Sequence, residues 1–395
     1  MDQGKRPPRL PLEGVRVAEF CHTIMGPSCT MILADLGAEI IKVEPIGGER
    51  TRRLAGFGSG YFSFFNRNKR SLALDLKSPN GIEVAKQVLR SCHGLVENFG
   101  PGTMARLGLD YASVKDVNRE LVYCSLKGFL PGPYEQRVAL DETVQMMSGL
   151  AYMTGPSGSP LRAGSSVVDI MGGFFGALAI IVALREVEKS GGQFIQVGLF
   201  ETAAFLMGQH LAYAALSDGP IPPMPERVSA WAIYELFQTR DGESIFIGVV
   251  SDGQWLKFCE TFGLKELRDD SELASNNQRI AARSWLIPRI KEALRNLTLA
   301  EALSLSEAAG VAFAPVLRPE ALFDDKHLVA TDSLLRTVLP TGAVSALPRL
   351  PILMGGDGFG LRCDPPGVGS DTYGVLIAAG LQPPQIEALA QQGIV

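Results

Sequence analysis

The sequence predicts an α/β fold in two domains, on three observations. Short apolar runs alternate with helix-spaced segments from Val15 to Phe129, the rhythm of a Rossmann-like doubly wound parallel sheet. A proline cluster, SDGPIPPMPERV, interrupts the chain from Ser217 and reads as a linker. Beyond it the texture changes to a hairpin and amphipathic helices, as in a smaller α+β domain. The large domain is expected over residues 1–218, the small one over 229–320, and residues 321–395 are expected to return to the large domain.

Taken in order, GVRVAEF is a strand, CHTIMGP a turn, SCTMILADLG a helix and AEIIKVE a second strand: a βαβ unit. The turn lacks GxGxxG, so a nicotinamide or flavin dinucleotide is not indicated. SLALDL, a helix from Pro79 to about Ser91, GLVENF and LVYCSLKGF continue the alternation. Residues 131–168 are rich in glycine, proline and serine around a helical core, DETVQMMSGLAYMTG, whose methionines read as gap-fillers. From Ile170 to Leu184 there is no charge, and Gly172, Gly173 and Gly176 crowd the first half. This predicts a helix buried on all sides, with a neighbour packed close to its first turns, and too short and glycine-laden to span a bilayer. Asp169 opens that helix at or beside its N-cap, where the dipole favours the anion, so the side chain is expected to stay ionised at neutral pH unless desolvation dominates. Gly191-Gly192 stops the helix and QFIQVGLF follows as a strand. After the linker, AWAIYELFQT and SIFIGVV flank an Asp241-Gly242 turn, and three helical segments follow.

A chain of 395 residues with 46% hydrophobic and 20% charged content is an ordinary soluble protein of two domains. A net charge of −5 argues against nucleic acid as the main partner. Yet Arg50, Arg52, Arg53, Arg67, Lys69, Arg70 and Lys77 face only Asp75 within their stretch, either as a solvated basic face or as a seat for a compact polyanion such as a nucleotide. Six cysteines without CxxC spacing read as reduced thiols of a cytoplasmic protein, and four scattered histidines offer no metal site. The proline-rich start has no apolar secretory core, and neither GxSxG nor a phosphate loop is present; no membrane partner and no resident cofactor are expected. On residue type alone Asp169 reads as a structural cap ahead of a catalyst. Asn98 is a turn-former or a ligand, and His22 a hydrogen-bonded structural histidine.

Several segments in order, PLEGVRV, the run from Met25 to Glu44, FNRNKRSLALDLK, VENFGPGTMARLG, SLKGF, MSGLAYMTG, Asp169 before its glycine-rich helix and the TRDG of the hairpin, resemble the class III coenzyme A transferases. The resemblance spans nearly the whole chain. It implies an interlocked homodimer, acyl-CoA and small carboxylic acids as substrates, coenzyme A as substrate and not cofactor, and Asp169 as a nucleophile that passes through anhydride and aspartyl-CoA intermediates. It further implies catalytic support from Glu142, with Asp141 as an acid of unassigned role. Asn98, Arg106, Lys69, Arg70, Lys77 and Arg52 would bind CoA, with Arg52 or Arg53 as possible carboxylate clamps. Racemases similar to this family carry a histidine where Leu140 stands, which removes the proton carrier racemisation needs. Ile24 replaces the glutamine of the formyl-CoA enzymes, and PMPERVSAW their multi-glycine loop, so a short dicarboxylate or methyl-branched acid is expected in place of formyl or oxalyl groups.

Overall fold

In the computed structural model, which describes residues 10–227 and 229–395, six parallel strands stand in the order β3-β2-β1-β4-β5-β6. The proline-rich start, residues 1–9, and Val228 of the linker lie outside the described residues. The strands are β1 (Arg16–Phe20), β2 (Glu39–Glu44), β3 (Lys69–Ala73), β4 (Gly94–Glu97), β5 (Val122–Lys127) and β6 (Phe194–Gly198). The helices between them are α1 (Met25–Asp35), α2 (Ser59–Phe65), α3 (Pro79–Leu89), α4 (Thr103–Arg106), α5 (Tyr111–Val114), α6 (Asp141–Met147), α7 (Leu150–Thr154) and α8 (Val167–Ser190). The inner strands are buried along most of their length, and Val17, Ala18, Ile40, Leu95, Val96 and Val122 are fully buried. The strand order reverses between β1 and β4, and in such sheets the crevice beyond the carboxyl ends of these strands receives ligands.

Charges are buried in this sheet as well. Glu19 on β1 binds Lys42 of β2 and Lys69 of β3, each at 2.9 Å, and accepts from Thr30 Oγ1 of α1 at 2.7 Å. Burial pushes the Glu19 carboxyl up, but the two ammonium groups pull it down to about 2. Lys42 also donates to the Cys21 carbonyl at 3.2 Å, so the cluster supports the turn that follows β1.

Helix α8 packs against α1, whose eleven residues are all buried. A Cβ on Gly173 would lie 1.9 Å from Ser28 Oγ and 2.7 Å from the Met25 carbonyl, and one on Gly172 would meet the Met25 side chain at 2.6 Å. The close neighbour that the glycines call for is therefore α1. The expectation of burial on all sides is not met. Ile170, Phe174, Leu178 and Val182, spaced four apart, are exposed by 37–55%. The helix is also longer than its uncharged run and reaches membrane-span length and hydropathy, though α1 fills its glycine face.

Residues up to Pro225 together with His327–Val395 form one compact unit, and Glu226–Lys326 the other. In the first, the chain ends with an antiparallel pair, Leu334–Val338 with Val344–Pro348, and helices Thr372–Ala378 and Pro383–Gln391. Val375, Leu376 and Ile386 join the core beside Leu72 and Val84. In the second, strands Ile233–Gln238 and Ser244–Val249 form the hairpin, with Gly242 at a φ of +82°. A third strand, Ala312–Pro315, pairs with the latter and had no counterpart in the sequence reading.

Candidate active site

Helix α8 starts two residues earlier than its acid. Ser166 is the N-cap position and makes no side-chain cap, which leaves the first N–H groups in need of an acceptor. Asp141, buried on α6, supplies it. One of its carboxylate oxygens accepts from the Val168 N–H at 2.9 Å and the Asp169 N–H at 3.0 Å. Its other oxygen accepts from Gln145, four residues along α6, and Gln145 in turn accepts from the Ala163 N–H at 2.8 Å. The stretch from 163 to 169 is thus tied at both ends to one turn of α6.

Asp169 is third in the helix and half-buried. Among the described residues no hydrogen bond or ion pair reaches its carboxyl group. Burial, followed by the neighbouring negative charge of Asp141, pushes its pKa up to about 7. This corrects the expectation of an anion held by the helix dipole: the positive end of α8 is already occupied by Asp141. The result is a carboxylate with no partner and a high affinity for a proton, chemically a nucleophile or a base.

The Glu142 side chain is 61% exposed and paired with Arg162. Leu140, where a racemase's histidine would stand, is 66% exposed and can carry no proton.

The carboxyl edge of β1 and β4 holds a cavity of about 430 Å³ lined by Cys21, His22, Thr23, Glu49, Arg50 and Phe99 among others. Asn98 braces the wall from behind His22: its amide accepts from the His22 N–H at 3.0 Å and donates to the His22 carbonyl at 2.9 Å. Those two bonds hold the turn in which Thr23, a β-branched residue, takes a φ of +66°, and Thr51 Oγ1 accepts the Thr23 N–H at 3.2 Å. The His22 ring lies over Phe99 at 5.9 Å, and burial together with Lys42 lowers its pKa, leaving it neutral. Only Ile24 separates Thr23 of this wall from Met25, which packs on Gly172 one turn below Asp169.

Four of the seven clustered cations are spent on the protein itself. Lys69 is fully buried on Glu19, the Pro27 carbonyl and Asn66, and cannot meet a ligand phosphate. Arg52 chelates Glu44, donates to the Pro366 carbonyl and stacks 3.7 Å from the Phe62 ring, which removes it both as a CoA ligand and as a carboxylate clamp. Arg70 pairs with Glu39 at 2.6 Å and Asp371 at 3.5 Å, and Arg67 forks onto Asp35. Arg50, Arg53 and Lys77 are exposed, as is Arg106 at the end of α4, where it donates to Thr103 Oγ1 at 2.8 Å. Among the described residues no group of His, Cys, Asp and Glu is arranged to hold a metal ion. The roles of Asp141, Gln145 and Thr23 were not read from sequence. For the first two a signal exists, since DETVQ puts an acid and an amide at i and i+4 of a helix.

Residues 12–372 match the family model described as CoA-transferase family III. A human succinyl-CoA:glutarate CoA-transferase is 32% identical, covering 86% of this chain and 79% of its own length. An Acetobacter aceti acetyl-CoA:oxalate CoA-transferase is 36% identical over 78% of this chain and 82% of its own. The crystal structure of a CaiB/BaiF family protein from Brucella suis superposes with a TM-score of 0.83 at 28% identity, covering 93% of this chain and 99% of that one.

Proposed function

Because the chain belongs to CoA-transferase family III, we propose that it moves coenzyme A from a small acyl-CoA to a short dicarboxylic acid by covalent catalysis at Asp169. It is a transferase of sulfur-containing groups, as its relatives are. The observation that carries the finer reading is the partnerless carboxyl group of Asp169 at the first turn of α8. In its ionised form it attacks the thioester carbonyl of the donor, the C–S bond breaks, and CoA leaves as thiolate from a mixed anhydride. The thiolate then attacks the aspartyl carbonyl and expels the donor acid, leaving an aspartyl-CoA thioester. The acceptor carboxylate repeats the two steps in reverse, and Asp169 returns as the free carboxylate. No water, electron or net proton is consumed.

The site's residues supply the conditions. Raised basicity makes Asp169 a better nucleophile than an ordinary carboxylate, at the cost of leaving about half of it protonated near pH 7. Asn98 shapes the cavity through the His22 turn, while Arg50, Lys77 and Arg106, and Arg53 beyond its bond to the Gly47 carbonyl, stay exposed to meet the nucleotide's phosphates. Glutarate and oxalate in the names of the relatives support a dicarboxylic acceptor. The test is an initial-rate study with succinyl-CoA or acetyl-CoA against mono- and dicarboxylic acids. Ping-pong kinetics, with kcat/KM rising through about pH 7 to a plateau, are expected; a sequential pattern, or α-proton exchange without transfer, contradicts the reading.

A homodimer belongs to the same proposal. The exposed stripe Ile170, Phe174, Leu178 and Val182 begins beside the nucleophile, and Phe205, Leu211 and Leu216 are 64–86% exposed nearby in sequence. Light scattering is expected to give a dimer mass for the natural chain and a monomer for Phe174→Asp; an unchanged mass in the variant would remove this face from the interface.

A further inference from the structure

Among the described residues Asp141 is the one charged group that hydrogen-bonds the backbone of Asp169, and nothing in the transfer steps themselves uses it. We propose that Asp141 is a positioning residue for this nucleophile: its carboxylate holds the first turn of α8 and, as a second negative charge at that turn, sets the pH at which Asp169 becomes reactive. The inference rests on Asp169 being the nucleophile.

The geometry is specific. A helix start needs an acceptor, and here a buried side chain from another helix provides it, in place of Ser166. A neutral hydroxyl or amide oxygen would satisfy the same N–H groups. The carboxylate does something more. It neutralises the positive end of α8, which would otherwise favour a charged Asp169, and it adds like-charge repulsion.

The other charged groups on the elements packed against this turn are committed elsewhere. Asp35 of α1 holds Arg67, and its Cys29 thiol is buried with a raised pKa. Lys127 of β5 holds Glu97, and the Cys124 thiol of that strand is pushed up to about 12. Glu142 of α6 holds Arg162, and Glu201, in the helix that follows β6, accepts from the Leu130 N–H. Strand β6 carries no charge, and the charged residues of α8 other than Asp169 sit in its last two turns. Burial first, and then the charge of Asp141, hold the Asp169 carboxyl above the usual carboxylate range.

The experiment compares the pH dependence of CoA exchange in the natural full-length chain, Asp141→Asn and Asp141→Glu. Asp141→Asn keeps an oxygen for Val168 and Asp169 but not the charge. Its acid limb is expected to move down by about one pH unit or more, whatever happens to the plateau rate. Asp141→Glu keeps the charge and is expected to leave the limb near pH 7 while lowering the rate. A limb that stays near 7 in Asp141→Asn overturns the assignment, because a purely structural cap changes rate and stability without moving the midpoint.

Should Asp141→Asn fail to fold, infrared titration of ¹³C-aspartate-labelled natural protein, with Asp169→Asn subtracted, decides the matter. A carboxyl that titrates near 7 in the natural chain and lower in Asp141→Ser supports the inference; one that titrates near 4 in the natural chain, or stays near 7 in Asp141→Ser, overturns it. Failure of the underlying reading looks different: Asp169→Ala would then retain exchange, irrespective of any shift at Asp141.

Discussion

Asp169→Ala is expected to lower CoA exchange by a factor on the order of 10⁴ or more, while CoA still binds with near-natural affinity. The size follows from the role. Without the carboxylate neither the anhydride nor the aspartyl thioester can form, and the remaining groups of the site only orient the substrates. Stability should move the other way. An acid whose pKa is higher in the folded protein than in the unfolded chain costs stability as pH rises from about 4 to about 7, and the cost is constant above that. Asp169→Asn removes that cost, so at pH 8 it is expected to unfold at a temperature equal to or above that of the natural chain. A variant that is both inactive and clearly destabilised would make Asp169 a structural residue instead.

Glu19→Ala is expected to be the most damaging change in the large unit, by about 3–5 kcal/mol in urea unfolding. The glutamate answers two lysines that are themselves fully buried, Lys42 and Lys69, so its removal leaves Lys69 without a carboxylate partner and Lys42 with Glu49 alone, at 3.4 Å. Lys42 also retains its bond to the Cys21 carbonyl, and Lys42 and Lys69 repel one another once the carboxylate is gone. The damage therefore reaches the His22–Thr23 turn and the cavity above it. A loss below about 1 kcal/mol would mean that water enters to solvate the lysines and that the cluster is not closed.

How much of this was legible in the chain depends on how far apart the partners are. The strands of the large sheet were readable because parallel strands buried on both faces are continuous apolar runs, and β1, β2, β4 and β5 lie within the segments so read. Strand β3 begins two residues before SLALDL, since Lys69 and Arg70 are strand residues whose charges are answered from β1 and β2. The same long-range pairing undid the basic patch. Asp35, Glu39 and Glu44 lie upstream of the stretch in which charges were counted, and Glu19 further still.

Helix α8 misled for another reason. When nearly every residue is apolar, hydropathy has no period to report, and an exposed face cannot be told from a core face. In the small unit, Ala312–Pro315 is too short and ends in proline, which hides a strand. At the site, Asp169 could be singled out from its place before the glycines. Its protonation could not, because it depends first on burial in the folded chain and then on Asp141, twenty-eight residues away and on a different helix. The proton affinity of a side chain is a tertiary property.

Intact-mass spectrometry after brief incubation with succinyl-CoA tests the nucleophile most directly. The natural chain is expected to gain about 750 Da, the mass of CoA less one water, on the peptide that contains Asp169, and hydroxylamine should discharge it. No added mass under conditions where exchange proceeds, or an adduct on any other residue, would contradict covalent catalysis at Asp169.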